Sequence, residues 1–361
     1  MRKLLSSLPL WTLVVPLIGW MLLGGSWYGF GSWYSIPLAA GLLGCVLAAV
    51  HHAEVIAHRI GEPFGTLMLA VAVTVIEVGL IVSLMLAGGP AANTLPRDTV
   101  FAAVMLILNG MVGTCLLVGS HRHGEQTFTL AGVSASLATL AAIVTLTLVL
   151  PNYTLTTPGP AYSPSQLSFI AVISLVLYGT FLLVQTVRHR DYFLPAEGKN
   201  SEDQHAVPPA AETAWTSAAA LVVALAAVVL LGKSLAPAIE RAVAAMGAPQ
   251  ALVGIIVAGV VLMPESLAAV RAARANRLQT SLNLALGSAL ASIGLTIPVV
   301  AIVSLASGWT LSLGIDAKST VLLFLSLMVA TLSLSTGRTT VLQGVVHLVI
   351  FAAYLLVTVV P

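Results

Sequence analysis

Two carboxylates fall where the sequence offers them no water. Glu77 sits in Ala72-Val-Thr-Val-Ile-Glu77-Val and Glu265 in Val260-Val-Leu-Met-Pro-Glu265-Ser. Each lies inside an apolar run, whereas almost every other Asp or Glu falls in a loop or at a run's edge. A charge near a bilayer centre costs about 2.5–3.5 kcal/mol on insertion scales, so such residues are functional by default. In a low-dielectric setting the neutral carboxylic acid is favoured over the anion. Such a group holds a proton and releases it when a cation arrives to replace that charge. Two of them can balance one divalent ion or trade it for two protons. The plainer alternative is a protonated Glu that serves helix packing alone.

The flanking residues extend this reading. Pro264 directly precedes Glu265. A proline removes one interior helix bond and frees a carbonyl one turn back, which fits either a broken helix with carbonyls turned to a cavity or an ordinary proline kink. Asn109, Thr114, Asn283 and Ser288 place uncharged oxygens on the neighbouring runs, although small polar residues in membrane helices more often serve packing. Gly110, Gly113 and Gly287 fit close helix approach. His51, Glu54 and His58 share one helix face at i, i+3, i+7. With His52, Arg59 and Glu62 they form either a metal or pH-sensing site or a solvated helix end. Gln343 and His347, at i and i+4, could line a pathway.

These residues need elements to hold them. The chain has 361 residues, 58% hydrophobic and 8% charged, with mean hydropathy +1.02. A soluble domain carries about a quarter charged residues, so a soluble enzyme, a secreted disulfide domain and a disordered chain are excluded. The net charge of +2 comes without a basic stripe, and no nucleic-acid partner is expected. Cys45 and Cys115 lie in apolar runs and suggest no disulfide framework.

Eleven runs are long enough to cross a bilayer, at roughly 8–24, 36–57, 63–87, 98–119, 127–150, 165–187, 213–234, 248–271, 278–306, 318–335 and 339–360. They are continuously apolar, which favours helices over a barrel. With the N-terminus inside, eleven Lys or Arg face the cytoplasm and only Arg97, Lys233, Arg241 and Lys318 face outward, as the positive-inside rule requires. The polar stretch 188–212 reads as a cytoplasmic linker. Five spans precede it after the leading helix and five follow. A five-span block must re-enter the membrane in the opposite sense when repeated, which implies an inverted repeat. The expected fold is an all-α polytopic membrane protein, divided into a leading helix (1–35), a first five-helix repeat (36–187), the linker (188–212) and a second repeat (213–361).

The stretch from His52-Ala-Glu54 through His58-Arg59-Ile-Gly61-Glu62-Pro-Phe-Gly65 to Glu77 resembles the first signature of the calcium/proton exchanger (CAX) family. Met246 through Gly254 to Pro264-Glu265, then Leu286-Gly287-Ser288 and Pro298, resembles the second. Gly337-Arg338-Thr339-Thr340-Val-Leu-Gln343-Gly344 is similar to the family's pattern near its last helix. The likeness is densest in the bacterial ChaA-type branch. It implies alternating access, with Glu77 and Glu265 as shared cation and proton ligands. Positions where the family usually carries Asn are Thr74 and Leu262 here. The family's Ser and Asn on the next span become Gly110 and Thr114, and its Gln becomes Ala291. A site with fewer amide ligands should hold calcium less tightly and makes monovalent transport more plausible.

The expected activity is therefore antiport of Ca2+, Na+ or K+ against H+ across a bacterial inner membrane, with the N-terminus cytoplasmic and the C-terminus outside. No cofactor is expected, and the partners are lipid and small inorganic cations. A membrane metal hydrolase built on His51, Glu54 and His58 would need a further ligand and shows no HExxH or GxSxG pattern. A passive channel would dissipate a gradient without proton flux.

Overall fold

The structure, a computed structural model, describes residues 8–61, 64–88, 92–194 and 209–360. Among these it forms eleven long helices: α1 Leu10–Ser26, α2 Ser35–Ile60, α3 Phe64–Gly88, α4 Leu95–His123, α5 Leu130–Tyr153, α6 Pro164–Arg188, α7 Ala211–Ala245, α8 Ala251–Arg274, α9 Leu278–Ser307, α10 Ala317–Ser333 and α11 Val341–Val359. Nine have the length and apolarity to cross a membrane, and α1 and α10 are apolar helices of 17 residues. The chain is an all-α polytopic membrane protein.

Local chemistry sets the helix ends. Gly61 has φ 74 and closes α2, a left-sided conformation that suits residues lacking Cβ. Asp316 accepts from the Ser319 amide at 2.8 Å to start α10. Ser163 with Gln166 starts α6, and Thr340 with Gln343 starts α11, each by reciprocal side-chain capping. One expectation needs correction. The seventh helix does not stop near 234 but continues to Ala245. Its last turns are Ala-rich and carry the exposed Glu240 and Arg241, so helix propensity outlasts the apolar stretch. The eighth helix is unbroken, with Pro264 inside it. Proline still leaves one carbonyl without its usual donor, but no segment unwinds.

Contacts group the chain into two units. One comprises Met1–Gly89 and Glu202–Gln250, the other Pro90–Ser201 and Ala251–Pro361. Each unit therefore takes helices from both halves of the sequence. In the first, α2 packs against α1, α3 and α7. Small residues bring these helices close: a methyl at Gly232 would overlap Leu80, and one at Gly79 would stand 2.7 Å from Val229.

The second unit holds α4, α5, α6 and α8–α11. Its connections sort to two ends. At one end, strand β1 (Gln126–Thr127) pairs antiparallel with β2 (Arg338–Thr339). Gln126 bonds the Ala273 carbonyl at 3.0 Å, His123 meets the Arg274 carbonyl at 3.0 Å, and the Thr129 amide donates to Gln279 at 2.6 Å. At the other end, Arg97 donates to the Gly314 carbonyl at 3.0 Å, Asn152 to the Ile315 carbonyl at 2.7 Å, and Ala161 bridges Ser312. So α4 ends where α9 begins, α5 begins where α10 ends, and α6 ends where α11 begins. Those three pairs run in opposite senses, as two inverted five-helix repeats require. Gln126 and Gln279 anchor this arrangement without having been singled out in the sequence, because their partners lie about 150 residues away.

Candidate cation site

Glu77 lies midway along α3, in the first unit, and is 3% exposed. Ile76, Leu80 and Ile81 around it are buried as well. Thr74, one turn earlier on the same face, is buried and donates its hydroxyl to the Ala70 carbonyl at 2.8 Å. That bond consumes the hydroxyl proton and leaves oxygen lone pairs able to meet a cation.

Glu265 lies midway along α8, in the second unit, and is half-buried. The hydroxyl of Ser266 donates to the Leu262 carbonyl at 2.7 Å. Gly254 of α8 stands against Asp98 and Thr99 of α4, and Gly259 against Leu106. The two helices therefore run in the same direction side by side. At 1.5 Å per residue, Glu265 lies about 9 Å beyond Gly259, at the level of the Gly110–Thr114 turn of α4. Thr114 is half-buried and donates to the Gly110 carbonyl at 2.7 Å. Ser288 of α9 is half-buried in the same unit.

The two asparagines face other duties. Asn109 is fully buried in a π-helical turn, Leu106–Met111. Its amide donates to Ser326 Oγ at 2.8 Å and its carbonyl oxygen is 3.3 Å from His347 Nδ1. Asn283 donates to the Phe193 carbonyl at 2.6 Å and accepts from Gln279 at 2.9 Å. Both side-chain amides are thus spent on helix and linker packing, the commonest use of such residues in membrane helices. Ser326 and Ser333, partners in the Asn109–His347 network, had no distinguishing signal among the many serines of the sequence.

The histidine face of α2 divides along its length. Glu54 and His58 are exposed, whereas His51 is half-buried with its ring 5.8 Å from Trp11. His52, on the opposite face, is fully buried and donates from Nε2 to the Thr12 carbonyl at 3.1 Å. Glu62 lies outside the described residues. Among the described residues, no three His, Cys, Asp or Glu side chains gather as a metal site would need. At the last helix, Gln343 accepts from the Thr340 amide at 2.7 Å as a capping residue. His347 is fully buried one turn further on.

This is the build of a membrane-embedded ion exchanger: apolar helices in opposed repeats, with an acidic side chain midway along the second helix of each. The chain belongs to the sodium/calcium exchanger protein family, whose profile matches residues 30–187 and 216–360. It is a secondary transporter and not an enzyme. It is 50% identical to the protein y4hA of Sinorhizobium fredii, over 99% of this chain and 98% of that one. It is 39% identical to the sodium-potassium/proton antiporter ChaA of Escherichia coli, over 88% and 86%. Its fold is similar to that of native YfkE, with TM-score 0.74 at 16% identity, covering 97% of this chain and 100% of that one.

Proposed function

We propose that the chain is a cation/proton antiporter of a bacterial inner membrane, with Glu77 and Glu265 as the groups that cation and proton compete for. The observation that carries this is the Glu77 carboxyl, 3% exposed inside a 25-residue apolar helix. Its counterpart Glu265 occupies the matching position of the other repeat. The family profile matches in two stretches, 30–187 and 216–360, and each contains one of the two glutamates. Protons entering down their gradient neutralise the carboxylates and displace cation outward, so competition for shared oxygens couples the two flows.

Sodium and potassium are the favoured cargo. A calcium ion takes six to eight oxygen ligands, and the amides of Asn109 and Asn283 are committed to protein partners. Thr74, Ser288 and helix carbonyls supply the remaining oxygens. Identity of 39% to a sodium-potassium/proton antiporter supports the same choice. The exposed Glu54 and His58, with His51, form a cytoplasmic mouth, with the N-terminus inside and the C-terminus outside by the Lys and Arg distribution.

The test is transport in proteoliposomes with an internal pH-sensitive dye, adding sodium, potassium and calcium in turn. Cation-dependent proton movement that disappears in Glu77→Gln and Glu265→Gln is expected. Persistence of exchange in both variants would overturn the reading, and cation leak without proton movement would point to a channel.

A further inference from the structure

We propose that His347 is a positioning residue for cation exchange, acting through Asn109 to fix the π-helical turn of α4 opposite Glu265. The inference rests on the carboxylate reading above. His347 is fully buried on α11 and meets side chains of two neighbouring helices, α4 and α10. Its Nε2 is 2.9 Å from Ser333 Oγ of α10, and its Nδ1 is 3.3 Å from Asn109 Oδ1 of α4. Asn109 in turn donates to Ser326 of α10 at 2.8 Å, and Ser326 donates to the Leu322 carbonyl at 2.7 Å. A neutral imidazole that donates from Nδ1 to Asn109 and accepts at Nε2 from Ser333 fits these contacts. Ser333 Oγ is also 3.3 Å from the Ala330 carbonyl, and the ring is bonded to the Leu108 backbone of α4. The result is a directed network from α10 through α11 and α4 back to α10.

The network grips α4 where its helix changes. Asn109 lies within the π-helical turn Leu106–Met111, one of three such turns among the described residues, a widened geometry that is frequent at functional sites. Just beyond it, Gly113 and Gly344 let the backbones of α4 and α11 meet: a methyl at Gly113 would stand 2.9 Å from His347 Cβ. The helix is therefore held from the α11 side by bonds and by contact. On α8, Glu265 stands at the level of the next turn, Gly110–Thr114. Moving Asn109 shifts that turn against the carboxylate, which changes cation affinity before it changes anything else.

The experiment measures half-saturating sodium or potassium and maximal exchange rate, in proteoliposomes, for the full chain and its variants. His347→Phe keeps the ring and removes both bonds. It is expected to raise the half-saturating cation concentration on the order of tenfold, as small displacements of positioned groups do, with the maximal rate nearly kept. His347→Gln, which can still donate and accept, recovers most of that loss. The pair His347→Phe with Asn109→Ala is no worse than the single variant, because both break one network. If His347→Phe does not fold, Ser333→Ala reads the same network from its far end, and a rise in half-saturation is again expected. An unmoved half-saturation in these folded variants, or an equal fall in maximal rate for Phe and Gln alone, overturns the inference. Glu265→Gln, run beside them, separates the two claims: lost exchange there with unmoved His347 variants refutes only the positioning role, whereas retained exchange refutes the carboxylate reading itself.

Discussion

The side-chain amide of Asn283 donates to the main-chain carbonyl of Phe193 at 2.6 Å. That bond ties the start of the 188–212 linker to α9. The side-chain carbonyl oxygen of Asn283 accepts from Gln279, and Gln279 receives the Thr129 amide. Three connections meet on that one relay.

Asn283→Ala is therefore expected to cost stability rather than affinity. Leaving buried partners unsatisfied costs about 1–3 kcal/mol, which should appear as a lower melting temperature in detergent. Half-saturating cation should stay near the wild-type value. A large rise in half-saturation with unchanged melting would return Asn283 to the ligand set.

The two glutamates should behave differently from that asparagine. Glu77→Gln and Glu265→Gln replace an exchangeable proton with a fixed amide of nearly the same shape. Exchange should fall to background while the protein melts at or above the wild-type temperature, since a buried ionisable group is costly to hold. Dye-reported proton flux and thermal melting on the same preparations check both halves of this statement.

Gly344 faces the α4 backbone so closely that a methyl would stand 2.5 Å from the Leu117 nitrogen. Neither backbone can give way, because both are helical. Gly344→Ala should destabilise by about 1–3 kcal/mol, the usual cost of overpacking. It should also raise half-saturating cation by moving His347, whereas Gly287→Ala, with no atom within 4 Å of the added methyl, should fold as the wild type does.

At the opposite end of the second unit, Arg97 joins Asp98 at 2.8 Å and the Gly314 carbonyl at 3.0 Å. It thereby clips the start of α4 to the segment before α10. Arg97→Gln should lower stability by about 1–2 kcal/mol, and Arg97→Lys should recover part of it, because a single ammonium cannot reproduce the guanidinium fork. Melting curves of the three proteins decide this.

On the proposed role of the α2 histidine face, His51→Gln with His58→Gln should shift the pH profile of exchange. A superimposable profile would reduce this face of α2 to a solvated helix end.

Eleven apolar runs announced eleven helices because a bilayer span must be continuous, and nothing else in a chain this apolar is. The turn at Gly61 was visible as a cluster of charge, and the opposed sense of the repeats followed from an odd number of spans. The two glutamates stood out because a carboxylate has so few reasons to be inside a membrane. The amides did not declare themselves. Asn109 finds Ser326 at a separation of 217 residues and Asn283 finds Phe193 at 90, and no local pattern tells a ligand from a strap. The π-helical turn was equally silent, since its residues are as apolar as any other stretch of α4. Pro264 left a break and a plain kink equally open, and the structure keeps α8 helical through it.

The small β1–β2 ladder has a temporal meaning. Ser120, just ahead of β1, reaches the Thr339 carbonyl across 219 residues of sequence. Connections of that range are the slowest to close. The two-residue strand β1 follows the fourth helix and its partner β2 follows the tenth, so this ladder closes only after most of the chain has been made.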